Sequence, residues 1–432
     1  MGRTITEKIL AKAAGKSHVD PGENIWVSAD VLMTHDVCGP GTIGIFKREF
    51  GKDAKVWNRE GVILIPDHYI FTADPICHRN VDTLRAFAKE QGIVNFYDPG
   101  TLTYSGVCHV TLPEYGHCRP GEVLFGTDSH TCTHGALGLF SSGIGNTDAA
   151  FVMGTGKLLI KVPQSMKFVV DGLLPAHVSA KDIILKIIGD IGVDGATYCA
   201  MEFCGSAIEE LSIEERMTIC NMAVEAGAKN GIIAADDKTV AYVKARTDKE
   251  FTCFESDQDA EYLSVKEYKA EDFEAVVALP FSPDKVKPAK DCASIKIDRA
   301  YIGSCTGGKI EDFLMAACVL AGRKVAVPTF IVPATVSVEW ALRTHKIGGK
   351  TLLKIFEDAG CMPIPEPSFA ACLGGPVDTF GRCNGSEVCI STTNRNFPGR
   401  MGSKSSKTIL ASPYTAAASA IAGYVADPKD FI

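Results

Sequence analysis

The strongest constraint on this chain comes from short apolar runs that stop abruptly on polar, chemistry-bearing residues. Gly61-Val-Ile-Leu-Ile65 runs into Pro66-Asp67-His68, and Val123-Leu-Phe125 runs into Gly126-Thr-Asp128-Ser129-His130. Runs this short and this uniformly apolar read as strands buried inside a sheet. Helical patterns fall between them, with their own start signals. Thr4 with Glu7, Ser179 with Asp182 and Ser212 with Glu215 have capping-box spacing. They predict helices over 4–14, over 180–191 and from 212 to a stop at Gly227. Further helices are predicted over 80–91, 309–321 and from Ser412-Pro413 to Gly423. Further strands are predicted over 26–32, 166–172, 294–297 with Tyr301, and 325–333. Strands and helices that alternate in this way specify an α/β fold.

The chain has 432 residues, too many for one small core, so two or three domains are expected. The charge-rich, motif-poor stretch 230–290 ends in Pro283-Asp-Lys-Val-Lys-Pro288 and marks a boundary, giving units 1–165, 166–290 and 291–432. A net charge of -8 without a basic run argues against a nucleic-acid partner. No apolar run is long enough to cross a bilayer, and the N-terminus lacks the apolar core of a secretory signal. The expected compartment is the cytoplasm, where sixteen cysteines stay reduced. Most cysteines, such as Cys220 and Cys318 in helical patterns, read as small buried apolar residues. Only those on glycine-rich loops read as candidate metal ligands: Cys305, and Cys372 with Cys383 and Cys389 in the same segment. Cys305 lies just before a helix N-terminus, which predicts a thiolate.

Three strand ends deliver acidic or imidazole groups: Asp67 and His68, His109, and Asp128, Ser129 and His130. Strand ends of this kind are where open α/β sheets place ligands. Their convergence predicts acid–base work or support of a metal. His35 and Asp36 follow another strand, where they either reach the same site or form a turn before a helix. Asn221 and Glu225 are four apart on a helix with apolar residues all round, so the pair is buried and needs partners. Near the C-terminus, Ser391-Thr-Thr-Asn-Arg395-Asn and Arg400 set two arginines among hydroxyls and amides. Arginine forks suit carboxylates, so this segment reads as an anion clamp beside the Cys372 thiol.

PDHYIF, GTDSHTCTHG, TICNMAVEAG, YIGSCTGG, ACLGGP, VCISTTNRNFPGRMG and LASPYTAAASAIAGYV together carry a resemblance that covers nearly the whole chain. The chain resembles the aconitase superfamily, and within it the large subunits of isopropylmalate isomerases. The resemblance implies a three-layer α/β/α architecture and a [4Fe–4S] cluster whose open iron binds hydroxyl and carboxylate as a Lewis acid. It implies dehydration and rehydration of a malate-type dicarboxylate, interconverting 2- and 3-isopropylmalate in leucine biosynthesis. Related hydro-lyases acting on 2,3-dimethylmalate or homoaconitate, and a cluster-free non-enzymatic homologue, stand as alternatives. By resemblance Cys305 and Cys372 are cluster ligands. Asp67, His68, His109, Asp128, His130 and Glu225 are catalytic. His35, Ser129, Asn221, Arg395 and Arg400 contact substrate or its surroundings. The family's base is a serine on a swivelling domain that two-chain members carry separately. This chain ends at Ile432 without that domain, so a small-subunit partner is expected.

Two positions depart from the family pattern. The third cluster cysteine belongs three residues before Cys372, and there the chain has Phe369. Cys361, Cys383 or a non-cysteine group are the candidates to replace it. Close relatives also carry an additional arginine in the loop 73–79, besides Arg79, where this chain has Pro75-Ile76-Cys77.

Overall fold

The computed structural model describes residues 2–432. Three sheets form the framework. The first orders its strands Asn95–Phe96, Val62–Leu64, Val31–Thr34, Val123–Gly126 and Phe140–Gly143, all parallel. The middle sheet runs Asn230–Ile232, Ala200–Cys204, Ser165–Asp171, Ser264–Lys269, again parallel throughout. The third holds parallel strands Lys407–Ala411, Val388–Ser391, Arg299–Ile302 and Thr329–Ile331, with Val276–Ala278 and Val286–Pro288 antiparallel at one edge. The charge-rich stretch 230–290 thus supplies strands to the middle and third sheets.

The layering follows from the side-chain period of a strand. In the first sheet Met33, Ile63 and Leu124 point into a core shared with the helices Cys108–Glu114 and Ala180–Ile191. Their neighbours Leu32, Leu64 and Phe125 point the other way, onto Ile5, Ile9, Phe46 and Phe87 of three further helices. The sheet is buried on both faces, which is why its strands read as unbroken apolar runs.

All three predicted capping boxes form, and their helices span Ile5–Ala13, Ala180–Ile191 and Ile213–Met222. Four expectations need correction. The strand expected over 26–32 is two: Asn24–Ser28 pairs antiparallel with Lys157–Lys161, and Val31–Thr34 enters the first sheet. The break falls where the Asp30 side chain accepts the Val123 N–H at 2.8 Å. The helix expected over 80–91 starts earlier, at Pro75, because Asp74 caps it by accepting the Ile76 N–H at 2.8 Å and Pro75 fits the first turn. The strand expected over 325–333 shortens to Thr329–Ile331 between Pro328 and Pro333. The strand expected from 294 starts at Arg299, and before it Lys296 makes only a single bridge to Tyr424.

Strand order creates two crevices. In the first sheet the chain builds outward from Val31–Thr34 to one side, then returns to lay Val123–Gly126 on the other. In the third sheet, Arg299–Ile302 and Val388–Ser391 diverge in the same way. Such switch points, at the carboxyl ends of parallel strands, are where open α/β sheets hold ligands. Here two of them contribute to one site.

Candidate functional site

At the first switch point Thr34 and Thr127 share a hydroxyl–hydroxyl hydrogen bond of 2.9 Å. His35 and Asp36 leave from one strand, Asp128 from the other, and Asp67 and His68 from the neighbouring strand Val62–Leu64. Asp36 is fully buried and acts as an anchor. Its carboxylate accepts the backbone N–H groups of Asp67, His68 and Tyr69 at 2.9, 3.0 and 2.8 Å. That fixes the turn on which Asp67 and His68 stand.

A chain of contacts then crosses the site. Asp67 Oδ1 lies 2.6 Å from His68 Nδ1, and its Oδ2 accepts the Cys108 N–H at 2.6 Å. His68 Nε2 lies 3.4 Å from Asp128 Oδ2. Asp128 Oδ1 meets His109 Nε2 at 2.8 Å and accepts the His130 N–H at 2.7 Å. His130 Nε2 meets Glu225 Oε1 at 2.7 Å, and Arg395 Nε donates to that oxygen at 2.7 Å. Glu225 reaches inward because the helix Ile213–Met222 tightens into the turn Ala223–Ala226 before Gly227 ends it.

Burial opposes charge throughout this network, and the partners decide the outcome. The Asp67 and Asp128 carboxylates overcome burial and hold His68 protonated well above its ordinary range. Asp128 is half-buried, yet His109, His130 and His68 keep its carboxyl well below the usual value. Against burial, His130 and Arg395 lower Glu225 as well. His35 goes the other way. Burial, and then the charge on His68, push it down to about 4, so its ring is neutral. It stacks on His68 with centroids 4.1 Å apart. Its Nδ1 accepts the Val37 N–H at 3.3 Å, which places the hydrogen on Nε2, buried and without a partner among the described residues. His35, Asp36, Asp67 and His68 lie close enough to suggest a metal quartet, with ligand atoms within 4.8 Å of one another. Their lone pairs are already committed: Asp36 to three N–H groups, Asp67 to His68 and Cys108.

The thiols belong to the second switch point. Cys305 and Cys372 are fully buried. Asn221 and Asn394 donate side-chain N–H groups to Cys305 Sγ at 3.1 and 3.4 Å, and Ser304 Oγ lies 3.0 Å from Cys372 Sγ. Amide and hydroxyl hydrogens turned onto sulfur suit thiolates and sulfides. The expected Cys305 thiolate is nevertheless not the resting state of the free side chain. Burial, then the Cys372 neighbour, raise its pKa to about 12. The helix Ile310–Leu320 begins five positions on, and its dipole fades within a turn. Only a bound cation would make this sulfur an anion.

Phe369 stands in the same space. Its ring centroid is 4.3 Å from that of His68 and 6.1 Å from that of His109. The two thiols proposed to replace a cysteine there lie elsewhere. Cys361 packs with Val325, Phe356 and Ile364 on the helical side of the third sheet. Cys383 sits with Cys389, Phe330 and Met401, and takes an Arg299 N–H at 3.8 Å. Cys305, Cys372 and Phe369 share a different core. Cys220 is buried as expected, but Cys318 is exposed.

Arg395 is half-buried, with its Nε committed to Glu225, and the Arg400 Nε is buried without a partner among the described residues. Ser129 is exposed at the rim, its hydroxyl 3.3 Å from His130 Nδ1. A pocket of about 240 Å³, lined among others by His68, Tyr69, Ser368 and Phe380, opens beside the network. Sequence reasoning missed four groups. Asn394 and Ser304 touch the sulfurs. Lys309 Nζ lies 3.2 Å from the Cys305 carbonyl and 2.8 Å from Asp312. Lys181 Nζ, fully buried, donates to the Thr392 and Thr393 carbonyls at 2.9 and 2.6 Å. Asn394 was legible beside Arg395. The lysines carried no local signal, because their partners lie far away in sequence.

The fit of an iron–sulfur cubane to these residues is incomplete. Two thiols and their polar hydrogens suit it; the third ligand position is a phenyl ring.

Residues 7–423 match the family described as Aconitase family (aconitate hydratase). The chain is 59% identical over 443 aligned positions to the 3-isopropylmalate dehydratase large subunit, chloroplastic, of Arabidopsis thaliana, covering all of this chain and 87% of that protein. It is 46% identical over 436 positions to the 3-isopropylmalate dehydratase large subunit 1 of Pyrococcus abyssi, covering both chains fully. It is 44% identical over 432 positions to the protein of the same description from Methanopyrus kandleri, again with full coverage of both.

Proposed function

The chain belongs to the aconitase family, and from that premise we propose that it is the large subunit of a 3-isopropylmalate dehydratase. As a hydro-lyase it would interconvert 2- and 3-isopropylmalate by removing and returning water, a step of leucine biosynthesis. The observation that carries this reading is likeness over the full length to large subunits of that description. No observation favours the related diacids over isopropylmalate. We take 1–165, 166–290 and 291–432 as units built round one sheet each, with Val276–Ala278 and Val286–Pro288 of the second crossing to the sheet of the third. The chain works with a separate small subunit, and its place is the cytoplasm: all sixteen cysteines are free, and no described helix is long and apolar enough to cross a membrane.

The chain's own residues do the following. Arg395, Arg400 and the His35 Nε2–H hold the two carboxylates of the substrate. His68, kept protonated by Asp67 and Asp128, gives its proton to the departing hydroxyl, which leaves as water. The small subunit brings the base that takes the proton from the neighbouring carbon. In the return step water adds as hydroxide to that carbon, its proton goes back to His68, and the base returns its proton to the carbon that lost the hydroxyl. His109, His130, Asp128 and Glu225 hold this geometry. In the family a [4Fe–4S] cluster supplies Lewis-acid pull on the hydroxyl. Cys305 and Cys372 are two thiols for such a group, and this chain's residues do not complete the set.

The test is to purify the chain with a small subunit, anaerobically, and follow the unsaturated diacid in the ultraviolet. A pair that carries the full cluster is expected to interconvert the isopropylmalates, and neither chain alone to do so. Turnover of dimethylmalate or homoaconitate but not isopropylmalate, with cluster content verified, would overturn the substrate assignment.

A further inference from the structure

We infer that Phe369 sets the iron–sulfur content of this chain, and that as it stands the chain does not hold a cubane on three thiolates. Position 369 has little freedom. Its N–H donates to the Asp67 carbonyl at 3.2 Å, and its carbonyl accepts the Tyr301 hydroxyl at 3.0 Å. The first and third sheets thus grip the same residue from opposite sides. Ala370 follows with a φ of 45°, and Ala370–Leu373 forms the tight turn that delivers Cys372. With the backbone held there, the side chain at 369 points into the site. It lies over the imidazole of His68 and is only 4% exposed.

A phenyl ring cannot donate an electron pair to iron as a thiolate does. Fully built cubanes take their ligands from cysteine sulfurs, and the open-iron form proposed for this family needs three. The thiols considered for the gap do not fill it. Cys361 and Cys383 lie in other cores. Cys108 is nearer, but its thiol lies against the Asp67 carboxylate, and burial together with that carboxylate holds the proton on it. The ring also suits its surroundings without metal, since a phenyl face beside a charged imidazole is a favourable contact. The site is therefore built for sulfur on one side and closed by carbon on the other.

This inference rests on the aconitase-family reading of the site and separates cleanly from the substrate assignment. The experiment reconstitutes the large and small subunits with ferrous iron and sulfide under anaerobic conditions. Iron, acid-labile sulfide and visible absorption are measured for wild type, Phe369→Cys and Phe369→Ala. Phe369→Cys should approach about four iron per chain. Wild type and Phe369→Ala should stay at roughly half of that or below, since neither offers a third thiolate. Wild type carrying a full complement would overturn the inference whether or not the variants fold. So would Phe369→Ala loading as fully as Phe369→Cys, because space and not sulfur would then be what is missing. If Phe369→Cys loads fully but the pair leaves isopropylmalate untouched, the substrate assignment fails and this inference stands.

Discussion

His68 is a cation by construction, and its two carboxylate partners explain why a buried imidazole keeps its proton. A side chain in that state is a proton donor. In the Phe369→Cys pair, His68→Asn is expected to lower kcat by about 10²–10⁴, the usual worth of a positioned acid, with a small change in KM. A large rise in KM at constant kcat would mean that His68 only binds substrate. Arg400→Lys should do the reverse, because a lysine cannot match the two oxygens of a carboxylate as a guanidinium does. A change confined to kcat would remove Arg400 from the binding set. Away from the site, His117 gives a pH signature. It lies 2.6 Å from the Tyr97 hydroxyl, and burial, then Arg119, lower it to about 4. The unfolded side chain titrates near 6.5. Between these values the unfolded chain binds a proton that the folded chain refuses. The His117 contribution is therefore complete above pH ~6.5 and lost as pH falls towards 4. The melting-temperature gap between wild type and His117→Gln should shrink over that interval, and a constant gap would refute the assignment. At this scale the sequence showed which residue types to watch, Asp67, His68 and Asp128 among them, because each follows an apolar strand. It did not show their charge states, which depend on partners tens of residues away.

Helices and strands were legible where their signals are local. Capping boxes at Thr4, Ser179 and Ser212 depend on residues three apart, and all three form. The helix at Pro75 begins before its expected start because Asp74 and Pro75 supply a cap and first turn within a stretch whose composition also suits a loop. The third-sheet strands were hardest, since prolines and bridges trim them to three or four residues. Lys181 shows what no local pattern reveals. It sits in the first turn of the helix Ala180–Ile191 and ties two carbonyls of the segment that carries Asn394 and Arg395. Burial, then Lys309, lower its pKa to about 7, so the contact carries a desolvation cost that the two carbonyls offset. Lys181→Met would leave the Thr393 carbonyl without that donor, at about 1–3 kcal/mol, while the Thr392 carbonyl keeps the Thr306 hydroxyl at 2.8 Å. The expected result is a lower melting temperature together with a raised KM. An unchanged KM would show that the lysine supports the fold but not the arginine.

Across the whole molecule, the site belongs to no single sheet. The histidines and carboxylates come mainly from the first, Asn221 and Glu225 from a helix between sheets, and the thiols and arginines from the third. The fold class was legible because buried parallel strands leave apolar runs that alternate with helices. The facing of the two switch points was not, because strand order is absent from any local pattern. The roles of the site residues came from resemblance, and the geometry brings those residues together. The grip on Phe369 from both sheets also has a genetic consequence. Phenylalanine and cysteine codons differ by one base, so the nearest neighbour of this gene in mutational space encodes the missing sulfur at a position whose backbone is already held for it. In cells that rely on this chain for leucine, selection on leucine-free medium should recover changes at codon 369 ahead of any other.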